Sequence, residues 1–128
     1  MIVLRTATDS RSYPDHTYRY IDTNFNAPRE LFLDSQPPKT VACVTLWHDQ
    51  IYSVWTHSQY RRRGYAKRLL QRAIARARQH GLVALHLTVQ DGRQNVAATH
   101  LYENCGFVWD SDSPYERRMT LELNVREV

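Results

Sequence analysis

SQYRRRGYAKRLLQRA, residues 58–73, sets three arginines in a row ahead of a glycine and follows them with a helical repeat. Ala66, Leu69, Leu70, Ala73, Ile74 and Ala77 recur at i, i+3, i+4, i+7, i+8 and i+11, one face of a helix. Gly81 stops it as a residue able to turn left-handed just past the last turn. The first turn of any helix carries N–H groups without partners, and the helix dipole adds partial positive charge there. Together these make an anion site. Gly64 has no side chain to hold a phosphate off the backbone, and the small Ala66 leaves further room. Each helix-end charge interaction is worth about 0.3–1 kcal/mol when exposed and up to about 2 when partly buried. Two phosphates on several N–H groups plus arginine could supply a useful part of the roughly 8 kcal/mol of micromolar binding. A tight turn beside solvated arginines is the plain alternative for this segment taken alone.

Outward from the helix the chain reads as strands. Upstream, Thr40–Trp47 (TVACVTLW) is β-branched and apolar, His48-Asp49-Gln50 is a tight turn, and Ile51–Thr56 (IYSVWT) is a second strand. Met1–Thr6 alternates and reads as a short strand. Residues 9–28 are polar, hold Pro14 and Pro28, and read as loop with room for one short helix. Glu30–Asp34 reads as a strand, turned by Gln36-Pro37-Pro38. Downstream come a buried strand at Leu82–Val89, a polar loop at Gln90–Gln94 and a shorter helix at Asn95–Asn104. Phe107–Asp110 and Arg118–Val125 finish as strands around a Ser/Asp/Pro loop. Strand–helix–strand crossovers favour parallel neighbours, so the expectation is an α/β or α+β sheet of mixed direction.

Composition narrows the class. With 128 residues, 42% apolar and 11% aromatic, the chain reads as one globular domain, 1–128. No apolar run approaches the roughly 18 residues of a membrane helix, and MIVLRTATDSR lacks a secretory pattern. Cys43 and Cys105 are too few for a disulfide framework and not at metal-ligand spacing, so no metal is expected and a cytoplasmic location is. Net charge is +4, but of 17 Lys and Arg eight fall between positions 61 and 78 with no acid among them. Such a patch concentrates an anionic partner, nucleic acid or phosphorylated cofactor alike.

Arg61-x-x-Gly64-x-Ala66, after a strand and before a helix, resembles the Q/R-x-x-G-x-G/A signature of the GNAT N-acetyltransferase superfamily. Some thirty residues on, Asn95-x-x-Ala98-x-x-Leu101-Tyr102-Glu103-x-x-Gly106-Phe107 is similar to that family's second signature. Either pattern alone is weak; both, in order and with a strand between, are specific, and the resemblance spans about residues 40–125. It implies a mixed, mostly antiparallel central sheet flanked by helices, and an acetyl-CoA site. The backbone of Arg61, Arg62, Arg63, Gly64, Tyr65 and Ala66 would hold the CoA diphosphate. The strand Tyr52–Thr56 would pair with the pantetheine arm, and an amide near Trp55 or Thr56 would meet the thioester oxygen. The next strand, around Leu87–Val89, would splay away to open the slot. Asn95 would sit beside the cofactor, besides capping its helix.

The resemblance also implies the chemistry, attack of a neutral amine on the thioester carbonyl. Tyr102 stands where the family keeps its general acid, and a phenol with an ordinary pKa near 10 stays protonated at neutral pH. The alternative for Tyr102 is a core aromatic. A lysine-like amine is less than about 0.1% neutral at pH 7, so its proton needs a route. His57, His48, Asp49 and His86 are the candidates, directly or through water. Cys105 is a small apolar group here, not a nucleophile, and Ser58 replaces a common proline.

The family usually places two helices between its first two strands, walling the acceptor pocket; about twenty proline-interrupted residues are too few for both. The acceptor side is then open, or completed by a second copy of the chain. Asp110, Asp112 and Glu116 could favour a cationic acceptor, a small amine or a protein amine. Two competing functions remain on sequence alone. One is a small nucleic-acid-binding domain laying the 65–80 helix along phosphates. The other is a CoA-binding member without catalysis. The first leaves Tyr102 to Phe107 unexplained, and no aromatic interleaves with the arginines.

Overall fold

A computed structural model describes residues 2–8, 16–22 and 40–124. Among the described residues seven strands form one sheet: β1 (Ile2–Thr8), β2 (His16–Asp22), β3 (Thr40–Trp47), β4 (Gln50–Thr56), β5 (Ala84–Thr88), β6 (Val108–Trp109) and β7 (Arg118–Glu122). Their order is β1-β2-β3-β4-β5-β7-β6, and only β4 and β5 run parallel. Helix α1 (Tyr65–Gln79) joins β4 to β5, and α2 (Val96–Asn104) joins β5 to β6. The mixed, mostly antiparallel sheet flanked by helices is the architecture expected from the sequence.

One element corrects that expectation. Residues 16–22 form β2, an inner strand paired with β1 on one side and β3 on the other, where a loop with a short helix was anticipated. Its HTYRYID alternates only Tyr18 and Tyr20 against Thr17 and Arg19, and the flanking prolines hide so short a signal. Tertiary contacts make the strand: Tyr18 is buried, and the Tyr20 ring lies 5.1 Å from that of Tyr65 on α1. The β1–β2 connection spans only residues 9–15, shorter still than the stretch judged too small for two helices. The strand expected at Glu30–Asp34 lies outside the described residues. β6 is shorter than Phe107–Asp110, and Gln90–Gln94 contains a 3-10 turn, Gly92–Gln94.

The core follows the helical repeat. Leu69, Leu70, Ala73, Ile74 and Ala77 of α1 are buried against β2, β3 and β4. Each fully buried leucine stabilises by about 1.5–3 kcal/mol over an exposed one. Gly81, at φ +77, closes the helix: Leu82 N donates to Ala77 O and Gly81 N to Arg78 O, satisfying the last carbonyls. Leu85 and Leu87 of β5, with Met119 and Leu121 of β7, extend the same cluster to Tyr102 and Phe107. Both helices therefore cover one face. The opposite face carries Thr45, Trp47, Tyr52, Trp55, His86 and Thr120, and there Trp47, Tyr52 and Trp55 are 52%, 50% and 41% exposed.

Candidate functional site

The chain between β4 and α1 is a turn with left-handed backbone and an uncapped helix start. Arg62 and Gly64 both take left-handed backbone, φ +65 and +81. Turns of this kind gather successive N–H groups into one concavity. Gly64 is the N-cap of α1, no side chain caps it, and no acid stands in the first turn. Arg68 N to Gly64 O, 3.1 Å, is the first helical bond, so the amides before it have no partner within the helix. A Cβ at Gly64 would have no atom within 4 Å. The space above it is open, and the glycine is favoured by its left-handed backbone, not by packing.

Aromatic contacts brace the turn from below. Rings run from Trp55 to His57 (6.0 Å), Tyr60 (5.7 Å), Tyr65 (6.4 Å) and Tyr20 (5.1 Å). Arg61 Nε donates to Thr56 O at 3.5 Å, and the Arg63 guanidinium lies 5.4 Å over Tyr60. Two of the three arginines thus hold the turn itself. Arg62 lines the cavity above it.

That cavity, about 820 Å³, brings together Trp55, Thr56, Arg61, Arg62, Gly64, Tyr65, Ala66, Asn95 and Tyr102, nearly every residue singled out from the sequence. Arg63 is not part of its lining. A second cavity of about 330 Å³ continues it between β4 and β5, and Val54, Asn95, Ala98 and Tyr102 line both. The gap exists because the two strands touch only at Gln50 and His86, where His86 N donates to Asp49 O at 2.8 Å. Beyond that pair they diverge. Against β3, Cys43 faces Trp55 and Thr45 faces Tyr52, so Ser53 and Val54 together oppose Val44. This bulge bends β4 away at the point where the gap opens.

Residues of both strand faces border the gap. Neighbouring residues of a strand point to opposite faces, and Gln50, Ile51 and Tyr52, with Leu87, Thr88 and Val89, all line it. Unpaired strand groups along such a slot are ready partners for an extended chain of amides.

Tyr102 is 8% exposed at the junction of the two cavities, its ring packed edge-on against Phe107. Burial, helped by Cys105, pushes its phenol up to about 12. It stays a proton donor across the physiological range. Asn95 caps α2 through Oδ1, which accepts from Ala98 N at 3.2 Å, while Nδ2 donates to Gln90 O at 3.3 Å. Burial likewise raises the Cys105 thiol, although Lys67 opposes it, so this cysteine remains protonated.

The four candidates for the amine's proton separate clearly. His57 Nδ1 accepts from Gln59 N at 3.1 Å and caps a 3-10 turn, so that lone pair is in use. His48 lies in the β3–β4 turn, its ring 5.6 Å from Trp47. Asp49 and His86 belong together. Thr120 Oγ1 donates to Asp110 Oδ1 at 2.6 Å and thus accepts from His86 Nδ1 at 2.8 Å. That fixes the proton on Nδ1 and leaves Nε2 as the basic atom, 3.7 Å from Asp49 Oδ2. His86 points to the open face beside the closed end of the gap.

Tyr60, Lys67 and Ala97 also line the groove and were not singled out from the sequence, and Ala98 and Leu101 of the second signature line it as well. Asp110 pairs with Thr120 and Arg118, and the Ser111 hydroxyl and the Arg118 amide hold the Glu116 carboxyl below its usual range. Two of the three loop acids are thus already committed within the protein.

Residues 2–107 match the model of the Acetyltransferase (GNAT) family. The match reaches back through β1 and β2, where the two sequence signatures are silent. No curated protein matches in sequence. Solved structures match in fold. The ribosomal-protein-S18-alanine N-acetyltransferase from Escherichia coli is 15% identical, with a TM-score of 0.67 over 99% of this chain and 97% of that one. An IAA acetyltransferase from Bacillus cereus is 16% identical, TM-score 0.66, over 96% and 100%. A putative streptothricin acetyltransferase from Bacillus anthracis, solved with acetyl coenzyme A, is 21% identical, TM-score 0.63, over 89% and 65%.

Proposed function

Because this chain belongs to the GNAT acetyltransferase family, we propose that it moves an acetyl group from acetyl-CoA to a primary amine by direct attack, residues 1–128 acting as one domain. The observation that carries the reading is the pair of adjoining cavities running from the uncapped, glycine-headed helix to the gap between β4 and β5, with Tyr102 lining both. The residues fit the cosubstrate: an open cradle at Gly64 for the diphosphate, arginine and lysine beside it, and diverging strand edges for the pantetheine amides. The acetyl coenzyme A in the Bacillus anthracis neighbour supports the same assignment.

Bound acetyl-CoA supplies the activated carbonyl carbon and a thiolate leaving group. The chain's own residues do the rest. Backbone N–H groups of the bulged β4, from Val54 to Thr56, are suited to the carbonyl oxygen as negative charge develops there. Tyr102 donates its phenolic proton toward the departing sulfur. Its high pKa means that donation and C–S cleavage proceed together, because full transfer to a free thiolate of pKa about 8.5 would run uphill. The amine arrives from the open face, where Trp47, Tyr52 and Trp55 offer aromatic surface. His86 Nε2, beside Asp49, takes the amine's proton directly or through water.

An open approach favours an acceptor that presents its amine at the end of an extended chain, or a second copy of this protein closing that face. Cys43 and Cys105 are not joined in a disulfide, which supports a reducing compartment, the cytoplasm. Among the described residues no helix is long and apolar enough to cross a membrane. The test is thiol release from acetyl-CoA with spermidine, kanamycin and a tetrapeptide bearing a free N-terminus. Turnover with at least one amine, and a rise in Tm with acetyl-CoA but not with a duplex oligonucleotide, is the expected result. Salt-sensitive oligonucleotide binding without either would favour the nucleic-acid reading instead.

A further inference from the structure

The charges along the two cavities narrow the acceptor. Among the described residues, neither lining holds a carboxylate or a histidine. The charged groups that line the larger cavity are Arg61, Arg62 and Lys67, all positive. The candidate bases stand elsewhere: His86 Nε2 faces Asp49 Oδ2 at 3.7 Å, His57 Nδ1 accepts from Gln59 N, and His48 lies beside Trp47. An acceptor with several positive charges meets no opposite charge around Tyr102. An amine that arrives protonated finds no base in the lining.

Amines differ greatly in how much this matters. A lysine-like amine, pKa about 10.4, is neutral in less than about 0.1% of molecules at pH 7. A peptide α-amine, pKa about 7.7–8.0, is neutral in about 10–17%. The second kind is ready to attack more than about 100 times as often, and sheds only the proton that bond formation frees.

The open face offers a seat for what stands next to that amine. Tyr52 lines the smaller cavity and Trp55 the larger, and they are 50% and 41% exposed. Strand residues three apart ordinarily point to opposite faces. Here the bulge brings them to one: Tyr52 opposes Thr45 and Trp55 opposes Cys43, neighbours on a single face of β3. Those two β3 positions are about 6.7 Å apart along the strand. That is twice the roughly 3.5 Å of carbon–carbon contact, so one flat apolar group fits between two rings. Trp47, 52% exposed and opposite Gln50, carries the aromatic row onward. From Cys43 to Trp47 the row follows about 13 Å of strand, the reach of about four residues of extended peptide.

We propose that the acceptor is the N-terminal α-amine of a peptide whose first residue carries a bulky apolar side chain, seated between Tyr52 and Trp55. The proposal rests on the transferase reading above, with its approach from the open face. The neutral nitrogen attacks the thioester carbon, the C–N bond forms as the C–S bond breaks, and the sulfur takes the proton of Tyr102. The proton freed from nitrogen leaves through water and, in net, restores the phenol. The products are the N-acetylated peptide and CoA thiol.

The test follows thiol release from acetyl-CoA by the full chain at pH 7 with phenylalanyl-triglycine, tetraglycine, Nα-acetyl-lysine amide and spermidine. The phenylalanyl peptide is expected to exceed the lysine amide and spermidine in kcat/KM at least 30-fold, and tetraglycine at least 10-fold. Its lead over the lysine amide should narrow about 10-fold at pH 9, where more of the lysine amine is neutral. Tyr52→Ala should bring the phenylalanyl-to-tetraglycine ratio below 3. Tyr52→Phe, which keeps the ring, should hold it within 2-fold of the wild type. Both peptides are read on one preparation, so a loss of stability in a variant cancels from the ratio. A lysine amide or spermidine as fast as the phenylalanyl peptide, or a ratio untouched by Tyr52→Ala, would overturn the proposal while thiol release keeps the transferase intact. A wild type that neither binds acetyl-CoA nor releases thiol with any amine would instead remove the transferase reading, and this acceptor with it.

Discussion

The turn from Arg62 to Ala66 and the open face around Tyr52 and His86 meet at one gap, yet they are built by opposite means. The turn is made of backbone: two left-handed residues, an uncapped helix start and the absence of a Cβ. The open face is made of side chains carried by β3, β4, β5 and β7, set beside one another by strand register. A backbone site depends on one or two residues and should fail abruptly. A side-chain site is shared among several and should fail by degrees.

The largest expected effect is therefore at the turn. Gly64→Val puts a branched side chain into a left-handed position and into the space a diphosphate needs. Acetyl-CoA affinity should fall at least 100-fold by calorimetry. Strain alone should cost about 1–2 kcal/mol of stability, because no protein atom is near enough to clash. A loss of stability without a loss of affinity would show that this glycine serves folding only, and the contrast with the open face would disappear.

Tyr102→Phe comes next, at the junction of the two regions. It should lower kcat about 100-fold while leaving acetyl-CoA affinity within 2-fold. Because the phenol is pushed up to about 12, the wild-type rate should show no alkaline fall traceable to it below pH 10. The same shift bears on stability: the folded chain holds this proton more tightly than the unfolded one, whose ordinary value is 10. That contribution, about 3 kcal/mol, is complete below pH 10 and is lost as pH climbs through about 12. Alkaline unfolding curves of the phenylalanine variant should be flatter in that window. An unchanged rate across pH would leave Tyr102 as a core aromatic.

His86→Gln is the mildest. The amide can still bond Thr120 but cannot take a proton, so the rate with a cationic amine should fall about 10-fold at pH 7. Acetyl-CoA affinity should not move. An unchanged rate would assign the proton to water or to another group.

The same contrast explains what the sequence discloses. The helix from Ala66 to Ala77, its glycines at both ends and the Asn95 cap are rules of local geometry, and the order of residues states them directly. β2 was missed because two tyrosines among polar residues make a strand only when Tyr65 and the arginines of α1 lie across from them. The bulge at Ser53 and Val54 leaves no composition signal at all, since it is a register slip against β3. Nothing in the sequence marks Arg93, because the groups it bonds, at Ser111 and Ser113, are backbone carbonyls eighteen and twenty residues away. Of the four proton acceptors open on sequence, only the network from Asp110 through Thr120 separates His86 from the rest.

The most direct measurement is a titration of ¹⁵N-labelled protein with acetyl-CoA, followed amide by amide. Bare peptide hydrogens at the head of α1 gripping a pyrophosphate should move the resonances of Gly64, Tyr65, Ala66 and Lys67 downfield, further than any on the open sheet face, and acetyl-pantetheine should leave them still. Saturable binding with those four signals unmoved would contradict the account.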